Sequence, residues 1–139
     1  MLEIFEIAAK AVADPTRIRI LKLLQSGELC VCQLTTVLGL APATVSKHLS
    51  VLKGAGLVQS RRDGKWVYYR LAESDFTPHA RRFLDLLAVS LGDDPTIAAD
   101  KILMLQVNAV PLQVLCDQGR AALPETLSQA APSCCGATP

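Results

Sequence analysis

The chain has 139 residues, of which half are hydrophobic and 19% are charged, and its formal net charge at pH 7 is +1. A chain of this length fits one domain with a buried core. Its apolar runs are too short to span a bilayer, and its first residues lack the basic and apolar segments of a secretory signal, so we expect a cytoplasmic protein with no membrane partner.

Four short helices are predicted in the first part of the chain, from apolar residues at helical spacing and from residues that begin or end helices. They cover residues 2–12, 15–25, 31–38 and 42–54. Asp14-Pro15 separates the first two, because an N-cap residue followed by proline starts a helix. Gly39 ends the third, and the short link at residues 39–41 joins it to the fourth as a helix-turn-helix.

A β-hairpin is predicted next, because two β-prone runs, residues 57–62 and 65–71, flank Asp63-Gly64. Asp-Gly between such runs is a strong signal for a two-residue turn. The hairpin would form a wing beside the helix-turn-helix. The predicted fold class is therefore mainly α with a β-hairpin wing, a winged helix-turn-helix that is dimeric.

Further helices are predicted after the wing. Thr77-Pro78 begins a helix that ends before Gly92 and carries an apolar stripe, which we expect to pack on the first helix of the same chain and on that of a partner. Asp94-Pro95 begins another helix that runs to residue 108, and residues 111–118 could form a last helical turn. The predicted domains are a DNA-binding and dimerisation domain over residues 1–92, a helical C-terminal extension over residues 93–122 and a flexible tail over residues 123–139.

The small net charge hides a basic block, because residues 42–70 carry six basic side chains and one acidic one. Such a block suits a polyanion, although a solvated charged face has the same composition. On the fourth helix, the side opposite Val45, Leu49 and Leu52 carries short polar groups and a cation that can enter a major groove. The predicted DNA-binding residues are Thr44, Ser46, Lys47, His48 and Ser50 on this helix and Arg61, Arg62 and Lys65 around the hairpin tip.

Two of these predictions have a structural alternative. His48 lies near the buried stripe, so it could be bonded at the edge of the helix instead of contacting a phosphate. The three wing cations could belong to an ordinary solvated turn.

The chain has five cysteines: Cys30, Cys32, Cys116, Cys134 and Cys135. Their number is odd, and we expect cytosolic thiols to be reduced. Cys30 and Cys32 stand at the start of the third helix, where the helix N-terminus favours thiolate. Residues two apart on a regular helix point about 200° away from each other, so both sulfurs can hold one ion only if the first turn opens. Opening it would tilt the attached fourth helix, although cysteine also serves as a small buried hydrophobe.

Four segments stand out together: residues 13–21 (ADPTRIRIL), 28–32 (ELCVC), 44–52 (TVSKHLSVL) and 55–58 (AGLV). In combination they resemble the ArsR/SmtB family of winged-helix repressors, over residues 1–92. The resemblance implies a homodimer, built from the first and last helices of this domain, that binds palindromic double-stranded operator DNA and leaves it when an inducer binds. The ELCVC segment resembles the arsenic-responsive branch. This implies Cys30 and Cys32 as metal ligands and trivalent arsenic or antimony as inducer, with no permanent cofactor.

The arsenic-responsive branch often has a third cysteine a few residues further along the helix, where this chain has Thr35, Thr36 and Val37. A third sulfur is therefore missing, external or supplied by Cys116, Cys134 or Cys135. We prefer Cys116 because it lies in a segment predicted to be ordered, although a buried structural cysteine is an equal alternative.

The interface zinc sites of the family need histidines and carboxylates on the last helix of the domain. This chain offers His79, Asp75 and Asp85, whose spacing is poor, so we expect no zinc there. We expect His79 to face solvent or to cap the helix.

Three alternatives to an arsenic-responsive repressor remain open. The thiols could form a redox or persulfide switch that pairs one of them with Cys116. A thiol enzyme such as a small reductase needs a base or an anion-binding loop beside its nucleophile, and since Cys30 has neither nearby in sequence, we expect no enzyme. Constitutive architectural DNA binding would not depend on Cys30 and Cys32.

Overall fold

The computed structural model describes residues 1–73 and 78–123. The helices in these residues are α1 (Leu2–Ala11), α2 (Pro15–Leu24), α3 (Val31–Leu38), α4 (Pro42–Gly54), α5 (Pro78–Ala88), α6 (Pro95–Asn108) and α7 (Leu112–Gln118), followed by a 3₁₀ turn (Gly119–Ala122). The strands are β1 (Leu29–Cys30), β2 (Val58–Asp63) and β3 (Trp66–Leu71). The predicted fold class, mainly α with a β-hairpin wing, is confirmed.

Helices α2 and α6 begin with the same N-capping sequence, an aspartate followed by a proline. The Asp14 carboxylate accepts a hydrogen bond from the Thr16 N–H at 3.1 Å, and the Asp94 carboxylate accepts one from the Thr96 N–H at 2.9 Å. In each case proline follows the aspartate, so its missing N–H falls where a helix leaves its donors unpaired. The predicted starts of α2 and α6 are therefore correct.

The sheet has the strand order β1-β3-β2 and is antiparallel. Its hairpin closes from Asp63 to Trp66, with Gly64 at a positive φ of 61°. Strand β1 was not predicted from the sequence, since a strand of two residues carries no alternating pattern. It pairs Cys30 with Tyr68, so the sheet holds the chain directly before α3.

The C-terminal extension packs into the same core as the helix-turn-helix. Leu103, Met104, Val107 and Leu115 are buried together with apolar residues of α2, α3 and α4. Leu123, which the sequence analysis placed at the start of a flexible tail, is also buried. The rest of that predicted tail, including Cys134 and Cys135, lies outside the described residues, as do Asp75 and the predicted helix start at Thr77.

A buried ion pair joins the extension to α2. Arg19 donates to both carboxylate oxygens of Asp100, each at 2.8 Å, and the two side chains are 6% and 2% exposed. A buried charge is costly without a partner. The pair therefore favours the one position of α6 against α2 in which both charges are paired.

Helix α1 keeps several large apolar side chains in solvent. It packs on α5 of the same chain, as predicted, with the Phe5 and Phe83 ring centroids 5.8 Å apart. Leu2, Ile4 and Ile7 nevertheless remain 81%, 44% and 51% exposed. Within the part of the chain that the structure describes, no helix is both long and apolar enough to cross a bilayer.

Candidate thiol site and DNA-binding surface

Helix α4 presents a polar side to solvent. Its apolar residues Val45, Leu49 and Leu52 are fully buried and fix the orientation of the helix on the core. The exposed residues on its other side are Thr44, Ser46, Lys47 and Ser50. This arrangement has short polar side chains and one cation on a helix that is free to enter a groove.

His48 is held at the edge of α4 by residues around the start of α2. Its Nδ1 atom lies 3.3 Å from Arg17 Nη1 and 3.9 Å from an Asp14 carboxylate oxygen. The Nε atom of Arg17 also donates to the Ala11 carbonyl at 2.7 Å. His48 thus has a structural role that ties α4 to the α1–α2 junction, and its contact with DNA stays a prediction.

The wing cations differ in how they are held. Arg61 donates to both carboxylate oxygens of Glu28, and its guanidinium lies 4.5 Å from the centroid of the Tyr68 ring. The hydrogen bond from Arg61 lowers the pKa of the Glu28 carboxyl below its usual range, and Coulombic attraction from Arg61 and Arg70 acts in the same direction. Arg62 is exposed. Lys65 donates to Gln113 of α7, so the extension reaches the wing.

The thiol site lies where β1 meets α3. Cys30 is 1% exposed, and its backbone N–H donates to Gln33 Oε1 at 2.8 Å. Cys32 is half-buried in the first turn of α3. Its sulfur is bonded to that of Cys116 on α7, with the two Cα atoms 5.5 Å apart, and Cys30 is the free cysteine of the described residues. The expectation that all five thiols are reduced therefore fails for this pair, because the fold brings α7 against the start of α3.

The three cysteines border a common cleft of about 460 Å³ between α3, α4, the wing and α7. Ser46 of α4, Lys65 of the wing and Asp117 of α7 also line it. A ligand in this cleft would therefore lie against both predicted DNA-binding elements. Across the described residues, no three His, Cys, Asp or Glu side chains form a ready-made metal site.

Arg120 holds the extension against the other end of α3. Its Nε and Nη2 atoms donate to the carbonyls of Thr36 and Val37 at 2.9 and 2.8 Å. These carbonyls lie in the last turn of a helix, where intrahelical partners are lacking. Gly39 lies beside them with a φ of 68°, which favours glycine, and a Cβ there would lie 2.8 Å from Arg120 Nη2, so the guanidinium would have to shift.

His79 occupies a different environment from the one expected. It is half-buried, its ring packs edge-on against Phe5 with centroids 5.1 Å apart, and its buried Nε2 atom has no hydrogen-bond partner among the described residues. The expectation of a solvent-facing or capping residue is therefore wrong, because α5 turns this position toward α1.

Several functional contacts were missed by the sequence analysis. Arg120, Gln113 and Asp100 were not singled out, and Cys116 was named as a candidate without being assigned to Cys32. Each of these contacts joins residues at least 48 positions apart. The one available signal was that Cys116 falls in a predicted helix and was thus placed in an ordered segment.

The described geometry is that of a winged helix-turn-helix domain with a C-terminal helical extension. Residues 14–60 match the family described as bacterial regulatory protein, arsR family. An uncharacterized HTH-type transcriptional regulator of Methanocaldococcus jannaschii is 43% identical over 76 residues, which are 52% of this chain and 85% of that protein. The chain belongs to the ArsR family, whose members are DNA-binding transcriptional regulators; at the family level this supports a regulator and not an enzyme.

Two further comparisons bear on the finer function. The arsenic resistance transcriptional regulator ArsR1 of Pseudomonas putida is 50% identical over 66 residues, 47% of this chain. The match spans about half of that relative, 52% of its length. A solved fragment from Mycobacterium bovis, described as the homodimeric winged helix-turn-helix DNA-binding domain of a possible ArsR-family regulator, is 38% identical with a TM-score of 0.56. That comparison covers 64% of this chain and 80% of the fragment.

Proposed function

We propose that the protein is a transcriptional repressor that binds operator DNA as a homodimer and dissociates when trivalent arsenic or antimony binds cysteine thiolates. The observation that carries the proposal is the position of Cys30 and Cys32 at the start of α3, the first helix of the helix-turn-helix. The relative from Pseudomonas putida is an arsenic resistance regulator, which supports the choice of inducer.

DNA binding is assigned to α4 and the wing. The exposed side of α4 carries Lys47 among short polar residues, and Arg62 is exposed on β2. Cations in these places neutralise phosphates, which supplies most of the sequence-independent affinity for DNA. The pairing of Arg61 with Glu28 implies that this cation binds a phosphate only after leaving its carboxylate partner.

Dimerisation is assigned to the exposed apolar side chains of α1. The large side chains of Leu2, Ile4 and Ile7 lie in solvent in the single chain, together with Leu86 of α5. Large apolar side chains exposed in this way are costly in water and favour burial against a second copy. The homodimeric fragment from Mycobacterium bovis supports this assignment.

The switch follows from how the first turn of α3 is fixed. Cys30 is held by strand pairing with Tyr68 and by its hydrogen bond to Gln33, while Cys32 is already inside the helix. The regular-helix geometry expected for the two cysteines does not hold, because Cys30 is the extended N-cap residue before α3. Since Cys30 is also buried in the sheet, we expect one ion to reach both sulfurs only if the junction of β1 and α3 opens. Opening it moves α3, and the short Gly39–Ala41 link transmits the movement to α4.

The proposal is tested by titrating arsenite into reduced protein bound to a fluorescent operator duplex, without oxygen and without dithiol reagents. Wild type is expected to leave the DNA, and Cys30→Ser and Cys32→Ser are expected to stay bound. Cys134→Ser/Cys135→Ser serves as the matched control and should respond like wild type. Release that is unaffected by replacing both Cys30 and Cys32 would overturn the proposal.

A second candidate is a redox switch, favoured by the bond between Cys32 and Cys116. A peroxide could oxidise the two thiols to this disulfide, taking two electrons and two protons and leaving as water. The disulfide would fix α7 on the first turn of α3. DNA release by peroxide, reversed by a thiol reductant and lost in Cys116→Ser, would favour this candidate; unchanged DNA binding on oxidation would exclude it.

A further inference from the structure

The cysteine that the fold places beside Cys32 is Cys116. Cys32 and Cys116 lie close enough to form a bond, on two packed helices whose side chains face each other. Cys30, by contrast, is buried at the end of β1 and is fixed there by the sheet. A thiophilic ligand therefore meets Cys32 and Cys116 as a ready pair, before any helical turn has opened.

We propose that Cys116 is a sulfur ligand of the trivalent arsenic site, that Cys32 and Cys116 bind first, and that Cys30 completes a three-sulfur site. This inference rests on the proposed function and deepens it by naming the ligand set. It also assigns a role to the C-terminal extension, which lies outside the residues 14–60 that match the family.

Access to the pair is open. Cys116 is exposed and Cys32 is half-buried, and the cleft that they border, about 460 Å³, is large enough for a small arsenical. The third sulfur, that of Cys30, borders the same cleft. Cys116 and Cys32 are thus more accessible to solvent than Cys30, which is buried.

Helix α7 is positioned without any ligand. Leu115, next to Cys116, is 2% exposed in the core, and Arg120 bonds to the α3 carbonyls of Thr36 and Val37. Because these contacts order α7 during folding, the second thiol is brought to Cys32 at little further entropic cost.

The chemistry needs no oxidant once the thiols are reduced. Arsenite carries three As–OH groups, and each thiol forms one As–S bond while its proton leaves with a hydroxide as water. Three thiols therefore release three waters, and arsenic remains trivalent. Soft thiolate sulfur is a suitable ligand for such an ion. If Cys32 and Cys116 are joined as a disulfide, a thiol reductant must first supply two electrons and two protons.

The binding order explains how the buried Cys30 thiol is recruited. Once Cys32 and Cys116 hold the ion, the strand pairing of Cys30, its burial and its hydrogen bond to Gln33 resist completion of the site. Drawing Cys30 out of its buried position disrupts the junction of β1 and α3. Since α7 also binds the wing through Gln113 and Lys65, the same movement reaches the wing.

The test uses the full chain, reduced and oxygen-free, with Cys134→Ser/Cys135→Ser as the background so that only three thiols remain. Wild type is measured in parallel. The probes are sodium arsenite, which takes up to three sulfurs, and phenylarsine oxide, which takes two. The readouts are the number of thiols protected from a colorimetric thiol reagent, the As–S coordination number from X-ray absorption, and the Kd.

Arsenite is expected to protect three thiols in the background protein and two in Cys116→Ser, with Kd about a hundredfold weaker in that variant. Phenylarsine oxide is expected to bind Cys30→Ser as tightly as the background protein and to bind Cys116→Ser at least about tenfold more weakly. Circular dichroism and DNA binding without arsenic should be unchanged in Cys116→Ser, which excludes misfolding.

Two different failures can be told apart. If Cys116→Ser binds both probes like the background protein while Cys30→Ser loses them, the ligand set is wrong but a sensor using Cys30 and Cys32 stands. If the background protein binds neither probe, the proposed function fails, and the ligand assignment fails with it.

Discussion

The buried ion pair between Arg19 and Asp100 is expected to be the main polar anchor of the C-terminal extension. In Asp100→Asn the volume is kept, but Arg19 faces a neutral amide in place of a carboxylate that accepts two hydrogen bonds at 2.8 Å. Removing one charge of a buried pair typically costs 3–5 kcal/mol, and because the amide oxygen can still accept one bond we expect about 3 kcal/mol. For a urea slope of about 2 kcal/mol per M, the unfolding midpoint falls by roughly 1.5 M.

Urea unfolding at fixed protein concentration, followed by far-UV circular dichroism and by the fluorescence of Trp66, measures this change. A reductant must be present so that the Cys32–Cys116 bond does not hold the extension. Glu6→Gln is the matched control, because its pair with Lys10 is exposed and should contribute under about 0.5 kcal/mol. A loss below about 1 kcal/mol in Asp100→Asn would refute the reasoning that burial makes this pair important.

Three further predictions concern the DNA surface, the core and acid stability. Lys47→Ala should weaken binding to duplexes of any sequence. Because the dimer carries two copies of Lys47, it should lower the slope of log K against log salt by about 2, measured by anisotropy at several salt concentrations; an unchanged slope would remove Lys47 from the phosphate contacts. Leu115→Ala should cost about 2–5 kcal/mol in reduced protein, whereas Leu105→Ala, at an exposed position of the same extension, should change stability by under about 0.5 kcal/mol. The pKa of Glu28 is lowered in the folded state, so its pairing with Arg61 stabilises the fold at pH values above the unfolded-state pKa. This stabilisation is lost as the pH falls through the folded-state pKa. The urea midpoint of Glu28→Gln, measured against pH, should therefore fall less on acidification than that of wild type.

The elements that could be predicted from the sequence are those determined by neighbouring residues. Asp14-Pro15 and Asp94-Pro95 start helices because a carboxylate and a proline act within one turn. Asp63-Gly64 closes a hairpin because Gly64 accepts a positive φ. The rules behind these assignments involve a few consecutive residues, so the sequence contains all the information they need.

The contacts that position the extension were not predictable in the same way. Arg19 and Asp100 are 81 residues apart, and Arg120 is 84 residues from the Thr36 carbonyl that it binds. In the sequence, Arg19 cannot be distinguished from a solvent-exposed arginine, because its burial depends on α6 packing over it. Strand β1 and the environment of His79 were missed for the same reason. The first depends on pairing with β3, and the second depends on packing against Phe5 of α1.

The candidate site was predicted in part. Cys30 and Cys32 were found from their spacing and their place before a helix-turn-helix, and whether they bind a ligand stays a prediction. The pairing of Cys32 with Cys116 could be offered only as one of several alternatives, because nothing local distinguishes Cys116 from an ordinary buried cysteine. Its exposure and its place beside α3 are properties of the packed extension.

The Cys32 sulfur cannot be a disulfide partner and an arsenic ligand at once, so oxidation and arsenic binding are expected to exclude each other. Protein oxidised with peroxide should gain stability, by up to about 4.6 kcal/mol from the loop closed over 84 residues. It should also take up no arsenite at Cys32 until it is reduced, and prior binding of arsenite should slow its oxidation. Urea unfolding and thiol counting, each with and without reductant, measure these effects.

Cys116→Ser is the control for this competition, because a chain without Cys116 cannot form the bond and its stability should not respond to oxidation through this pair. Oxidised wild type that binds arsenite like the reduced protein would contradict the shared use of Cys32. If instead the competition holds but Cys116→Ser keeps full affinity for arsenite, oxidation blocks the site only by removing Cys32, and Cys116 is a redox partner and not a ligand. The comparison therefore separates the two roles that the position of Cys116 on α7 permits.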